Sequence, residues 1–393
     1  MREDSLEVWD ADNHLCEPID AFTRHLPDPF RNAIKYVEVD GRTKIAVRGK
    51  ISEYVPNPTF EVIVSPGAWE GYFRGRNPEG KTLRELANPI RCPLEFRDPE
   101  KRVRLLDEQG IAAAMIFPSL ASLLEQRMTD DIELTHAAVH AYNQWMLDDW
   151  TFDYQGRLFP IPIVTLPDVD KAVAELDWCV EHGARAVLVR PAPVPMANGH
   201  TTSPGHPYFD PFWRRTEELG IPVMMHASDS GYDQIAGWWA GQDEYLPFVP
   251  SAFRNAVSDS RAIHDTICAL ICHGMCDRNP GVRIGLIENG ASWLGRLFDN
   301  LSNTYKKMPA EFREDPIETF RRNFWVHPFY EDEIKIVRDL VLPDHILFGS
   351  DYPHGEGLAV PLSFLDDLEG MDQASVDRIM GGNLRALLTP QPA

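Results

Sequence analysis

From about residue 100 the chain alternates two hydrophobic patterns. Stretches with apolar residues at helical spacing are each followed by a short uninterrupted apolar run. Asp98-Pro99-Glu100 predicts a helix start, with a capping acid and Pro at the first helical position. Val103, Leu105, Leu106 and Ile111 continue it before Ala112 to Phe117 reads as a buried strand. A helical stretch carrying His136, His140, Trp145 and Leu147 then leads to strand 158–164. Helix 168–182, closed by Gly183, leads to strand 184–191, and helix 207–219, closed by Gly220, to strand 221–226. The pattern continues with helix 260–277 and strand 282–288, helix 293–306 and strand 323–327, and helix 331–340 and strand 345–351.

A further strand is predicted near the N-terminus, in the stretch Val8 to Pro18. Counting it, eight strands are joined by helical crossovers, which is the tally of an α/β chain folded as a (β/α)8 TIM barrel. Short runs without alternation suit a parallel sheet buried on both faces. A doubly wound open sheet is the rival. Residues 30–90 break the cycle: Tyr36 to Lys50 around Asp40-Gly41 is a hairpin signal, and a Pro- and Gly-rich run extends to Arg91. They are read as an insertion beside the barrel mouth within a single domain spanning 1–393, its Trp69, Tyr72 and Phe73 placed to cover a substrate or to pack on a neighbouring subunit. Residues 228–259, with Trp238 and Trp239, form a second irregular stretch on the loop face.

Charge narrows the partners. A net charge of −22 over 393 residues leaves no basic face to displace counterions from nucleic acid or an anionic membrane. Neither a signal-peptide run nor a membrane-length apolar run is present, so a cytoplasmic protein acting on a small molecule is expected. The six cysteines are too few and too irregular for a disulfide framework. Cys268, Cys272 and Cys276 recur every fourth residue, as a buried stripe on one helix would, and lack the CxxC spacing of a thiolate metal site.

The N-terminal strand carries the chemistry. In a regular strand Asp10, Asp12 and His14 share one face, and unpaired acids there would lose several kcal/mol of hydration each. A metal ion meets that need best, and Glu17, just past the strand end, is placed to add a donor. In a barrel the reacting groups come from the carboxyl ends of the strands. Asp12 and His14 end the first strand, His226 the fifth, Glu288 the sixth and Asp351 the eighth, with His354 three residues beyond. Each follows an apolar run, where a lone polar residue must be satisfied by something. His327 closes the seventh strand and Arg190 the fourth, as candidates to bind substrate, the latter through a carboxylate. No phosphate loop or serine nucleophile elbow is present.

These residues carry a resemblance. Asp10-Ala-Asp12-Asn-His14, Met225-His226-Ala, Glu288-Asn-Gly290-Ala-Ser-Trp293 and Phe348-Gly-Ser-Asp351-Tyr-Pro resemble the amidohydrolase superfamily over nearly the full length. Within it, the chain is similar to the amidohydrolase-related branch that includes aminocarboxymuconate semialdehyde decarboxylase and γ-resorcylate decarboxylase. The resemblance implies a distorted (β/α)8 barrel with metal at its mouth, His14, His226 and Asp351 as ligands, and Asp351 as the base acting on a metal-bound water. Departures are Asp12 in place of the first histidine of an HxH pair, Glu288 in place of the acid/base histidine of strand six, and Arg190-Pro191 where dinuclear hydrolases carry a bridging lysine.

The full donor set is then Asp12, His14, Glu17, His226, Glu288, Asp351 and His354, too rich in carboxylates for one zinc. One or two divalent ions, Zn, Mn or Fe, are expected, with Asp351 and Glu288 as catalytic groups in hydrolysis or non-oxidative decarboxylation. The alternative is a dinuclear Fe or Mn/Fe monooxygenase on the same barrel, which would need an electron-transfer partner. A homo-oligomer, or a heteromer with a related subunit, is expected.

Overall fold

The computed structural model describes residues 6–52, 57–241, 251–257 and 260–389. Strand β1 (Trp9–Leu15) pairs parallel with β2 (Ala113–Pro118), and β2 with β3 (Leu158–Pro160). Strands β4 (Val187–Leu188), β5 (Val223–His226), β6 (Ile284–Ile287) and β7 (Phe324–Val326) form a second parallel run in that order. Single bridges close the ring: Ile163 to Leu188, Val326 to Ile346, and Asn13 to Tyr352. The result is a parallel barrel in the order of the chain. Every residue of β2, β5 and β6 is buried, as a sheet covered on both faces requires.

The eighth position differs from the regular strand expected at 345–351. Pro343–His345 is a turn of 3-10 helix, and the chain beyond it is extended but joins its neighbours only at intervals. Leu347 N–H donates to Val326 O, Ala11 N–H to Phe348 O, and Asp351 N–H to Asp12 O. Asp351 lies in the left-handed region at φ 53°, which ends any regular pleat. The third strand is cut short for another reason: Pro160 and Pro162 have no N–H to give to a ladder.

Helices cover the outside where the periodicity places them. Asp98 caps α1 (Pro99–Gln109) by accepting the Lys101 N–H, and Gly110 ends it at φ 72°. Asp131 and Asp168 cap α2 (Ile132–Trp150) and α3 (Val169–Glu181) in the same way. The helix expected over 260–277 is α4 (Arg261–Cys272) followed by a short turn, Met275–Arg278, split by Gly274 at φ 72°. The cysteine stripe is therefore broken: Cys276 is buried while Cys272 is exposed.

In the stretch 30–90, Ile34–Val39 and Arg42–Val47 form an antiparallel hairpin whose turn residues Asp40 and Gly41 both have positive φ. Val62–Ile63 pairs with Ile90–Arg91 at the base of the remaining loop. Of the irregular stretch 228–259, residues 233–240 and 252–257 are helical, while 242–250 and 258–259 lie outside the described residues.

One irregularity in β1 matters for the site. Its register on β2 shifts between Asp10 and Asn13, so strict alternation is lost. Asp10 does not share a face with Asp12 and His14 as a regular strand would require. Its carboxylate instead accepts from Asp12 N–H (3.0 Å), Asn13 Nδ2 (3.0 Å), Ser350 N–H (2.9 Å) and Ser350 Oγ (2.5 Å). It thus ties β1 to the eighth segment. From α1, the fully buried Arg102 donates to Asn13 Oδ1, His14 O (2.6 Å) and Glu95 O (2.8 Å).

Arg102→Ala would leave a buried carbonyl and a buried amide oxygen without donors beside His14. We expect a loss of about 3 kcal/mol in urea denaturation, with Arg102→Lys recovering only part because one ammonium cannot span all three acceptors.

Candidate metal centre

Five side chains meet at the carboxyl ends of β1, β5, β6 and the eighth segment. His226 Nε2 lies 3.1 Å from His14 Nε2, 3.3 Å from Asp12 Oδ1 and 3.0 Å from Glu288 Oε2. His14 Nε2 lies 3.4 Å from Asp12 Oδ1, 3.5 Å from Asp351 Oδ1 and 3.9 Å from Glu288 Oε2. Ligands held ~2.0–2.2 Å from one ion stand roughly 3–3.6 Å apart, so most of these spacings are those of a coordination sphere. Asp12, His14, His226 and Asp351 are all buried.

The protons do not satisfy this group from within. His226 Nδ1–H donates to Ala227 O at 2.7 Å, which turns its Nε2 toward the centre. His327 Nε2–H donates to Gly349 O (3.1 Å), and its Nδ1 accepts the Glu288 N–H (3.2 Å). That Nδ1 also lies 3.3 Å from Asp12 Oδ2, an ion-pair distance. Asp12 Oδ2 is a buried acceptor without a hydrogen-bond partner, and His14 Nδ1, which carries the ring proton when Nε2 faces the centre, is a buried donor without one. The orphaned Asp12 oxygen and the crowded carboxyl groups together fit a divalent cation.

The electrostatics carry the same imbalance. Burial pushes Asp351 well above the usual carboxylate range, reinforced by Glu288, Glu356 and Asp12. Burial opposes ionisation of Asp12 too, but contacts to His14, His226 and His327 hold it well below its ordinary value. Burial, with His354 and His226 nearby, lowers His14 to about 4. Burial also opposes charge on His226, yet Glu288 and Asp12 hold it well above its usual range.

Two of the acids are placed by strained backbone. Glu288 and Asp351 both have φ 53°, which costs about 1–2 kcal/mol for a residue with a Cβ. Each amide is bonded inside the site, Glu288 to His327 Nδ1 and Asp351 to Asp12 O. Gly349 leaves room for this, since a Cβ there would lie 2.6 Å from Asp12 Cβ and 2.8 Å from the His327 ring.

The remaining expected residues separate. His354 belongs with the centre: its Nδ1 is 2.7 Å from Asp351 Oδ1, its Nε2 is 3.0 Å from Ser119 Oγ, and its ring lies 4.0 Å from that of His14. Glu17, expected as a ligand, joins no such group among the described residues. Its Oε1 accepts from Leu120 N–H (2.8 Å), Ala121 N–H (3.2 Å) and Tyr142 Oη–H (3.2 Å), because the chain past β1 turns under the loop after β2. Arg190, expected to hold a substrate carboxylate, donates to Gln126 and to Asp229 O and borders a separate groove, whereas Pro191 lines the cavity at the centre. Glu356 was not anticipated, and it forms a second cluster with Glu288 and Asp351. Its signal was only its place two residues after His354.

Two lobes of about 560 and 480 Å³ open on the centre and meet along Glu288, Ala227 and Glu356. Tyr72 and Phe73 line the first and Trp69 the second.

Fold and site together define a (β/α)8 barrel with a candidate metal centre at its carboxyl-terminal mouth. A family pattern described as amidohydrolase matches residues 69–389, and the chain belongs to that family. It is similar to the crystal structure of an amidohydrolase from Mycobacterium avium subsp. paratuberculosis K-10, at 39% identity and TM-score 0.93 over 98% of this chain and 99% of that one. A dihydroxybenzoic acid decarboxylase from Polaromonas sp. JS666, solved with bound manganese and 2-nitroresorcinol, shares the fold at 16% identity and TM-score 0.60, over 98% of this chain and 97% of that one. A 2-amino-3-carboxymuconate-6-semialdehyde decarboxylase from Dictyostelium discoideum is 23% identical over 192 residues, 47% of this chain. The chain spans about half (50%) of that curated relative's length.

Glu17 gives a pH test that separates structure from ligation. Burial raises its carboxyl from 4.5 to about 7, and its Oε2 has no partner, as a protonated oxygen would tolerate. An acid with a raised folded pKa binds more protons folded than unfolded, so stability falls as pH rises from 4.5 through 7, by up to about 3 kcal/mol. We expect Glu17→Gln to flatten that fall in denaturation at pH 5 and pH 8 while leaving metal content unchanged.

Proposed function

We propose that the chain is a metal-dependent enzyme that decarboxylates, or alternatively hydrolyses, a small organic substrate. The observation that carries this reading is the meeting of Asp12, His14, His226, Glu288 and Asp351 at coordination-sphere spacing with Asp12 Oδ2 left without a hydrogen-bond partner. Asp12, His14, His226 and Glu288 would hold one ion, and Asp351 offers a donor for a second, grouped either with Glu288 and Glu356 or with His14 and His354. When bound, such an ion polarises a carbonyl or carboxylate and acidifies water.

The chain's own residues supply the proton handling. Non-oxidative decarboxylation replaces a carbon–carboxylate bond with a carbon–hydrogen bond, so one proton must arrive as CO2 leaves. Ser119 Oγ, His354 Nε2 and Nδ1, and Asp351 Oδ1 form a continuous line of proton-carrying groups to the centre. The same line accepts a proton in hydrolysis. Decarboxylation is favoured between the two because relatives with that activity occur in both sequence and structure. Manganese is the first metal to test, given the ion in the Polaromonas structure.

The oxygen-activating Fe or Mn/Fe reading draws on the Glu288, Asp351 and Glu356 cluster, since carboxylate-rich pairs of sites suit iron. It requires oxygen and an electron donor. Among the described residues no helix is long and apolar enough to cross a membrane, and a cytoplasmic homo-oligomer is the setting we infer.

Metal analysis of protein purified without chelator tests the reading. At least one divalent ion per chain is expected, with affinity reduced in His226→Ala by more than the ~10–100-fold that an outer-shell change costs. Metal-free protein as isolated, not reloadable with Mn, Zn or Fe, would overturn it. Release of CO2 from a panel of carboxylic acids under nitrogen should persist, and Asp351→Asn should lower it ~100-fold or more with the first ion retained. Turnover only with oxygen and a reductant would select the oxygenase reading instead.

A further inference from the structure

We propose that the second lobe holds the apolar body of an extended amphipathic substrate, longer than one aromatic ring, whose reacting group lies at the metal centre. This rests on the metal-dependent reading above and adds the substrate class. The floor of the lobe is His14, His226 and Glu288, so anything seated there reaches the centre directly. Its walls are mostly apolar, from Phe60, Val62, Ile63, Val64, Trp69 and Leu123, with Asn57, Arg84, Ser119 and Ser228 as the polar members. At about 480 Å³ it falls in the ~300–1,000 Å³ range that encloses drug-sized ligands. The first lobe is more mixed, setting Tyr232, Asp233, Arg254 and Glu331 beside Tyr72, Phe73 and Phe329, and suits the more polar part of the same molecule.

The apolar wall is built rather than incidental. Arg97 Nη2 donates to Thr59 O (2.6 Å) and Phe60 O (3.1 Å), holding Phe60 at a left-handed φ of 47°. Trp69 N–H donates to Gly355 O (2.7 Å), Gly67 N–H to His354 O (3.0 Å), and the Trp69 indole to Leu83 O (2.7 Å). A Cβ on Gly355 would lie 2.5 Å from Val64 Cγ1 and 3.0 Å from the Trp69 ring. The wall is therefore seated on the loop that carries His354 and Glu356. A wall fixed relative to the metal residues measures the length of what lies between them, and a fixed apolar surface gains from each methylene removed from water.

A series of n-alkyl hydroxamates, from acetyl to decanoyl, tests this by titration calorimetry on the metal-containing protein. The headgroup chelates the ion and the alkyl chain samples the lobe. Affinity is expected to rise about fourfold per methylene and then level off once the lobe is filled. Leu123→Trp should make the plateau arrive several methylenes earlier while leaving acetohydroxamate binding unchanged. If that variant does not fold, Val64→Phe narrows the lobe from the insertion side and should do the same. Affinity flat with chain length, or a rise that neither variant shortens, would overturn the proposal. Chelator treatment separates it from the metal reading: loss of all binding upholds the ion, whereas chain-length dependence decides the lobe.

Discussion

The constraint on which this structure turns is that imidazole nitrogens and carboxyl oxygens face one another across about 3–4 Å in a buried space, an excess of electron-rich atoms that calls for positive charge. The Nε2 atoms of His14 and His226 stand 3.1 Å apart, and carboxylate oxygens of Asp12, Glu288 and Asp351 lie within 3.9 Å of one or the other. Without a cation that crowding is met by extra protons, since His226 and Asp351 both hold theirs more tightly than usual, while one ring nitrogen each of His226 and His327 is bonded outward, to Ala227 O and Gly349 O. A cation is the economical partner, and the outward bonds are what keep the lone pairs aimed at it.

The contacts that assemble the centre also close the barrel. Asp351 N–H to Asp12 O, Ser350 to the Asp10 carboxylate, and the Asn13–Tyr352 bridge all join β1 to the eighth segment. Ligands from first and last positions of a ring can meet only if the ring shuts at that point. The left-handed backbones of Glu288 and Asp351, and the glycine between Asp12 and His327, are local departures from good strand geometry. Such departures concentrate where surrounding packing over-determines the conformation, as it does here.

Much of this was legible in the sequence, and the exceptions have physical causes. The barrel and the positions of Asp12, His14, His226, Glu288 and Asp351 follow from apolar runs ending in a polar residue, a signal that depends only on strand order. Glu17 read as a mouth residue because it follows β1, but distance along the chain does not say which way the chain turns, and here two backbone amides and a tyrosine take its carboxyl. Asp10 read as sharing a face with Asp12 because alternation assumes no bulge. Arg190 ends the fourth apolar run, yet its long side chain reaches Gln126 and Asp229 instead of the cavity. Glu356 sits between glycines in a loop, where no periodicity exists to mark it.

The stretch 57–84 was the least readable and has the most direct bearing on what the centre can act upon. Its backbone hydrogen-bonds the same loop that presents His354 and Glu356, so the apolar wall and those two ionisable groups are tied through the backbone. In a barrel the strands supply a common chemistry, and loops at their carboxyl ends decide what reaches it. On the reading proposed above, a wall joined to the His354 loop would select by shape and length, because moving it outward to admit a poorly fitting molecule would also move His354 away from Asp351 and Ser119. That reading would couple selectivity and proton delivery through shared backbone.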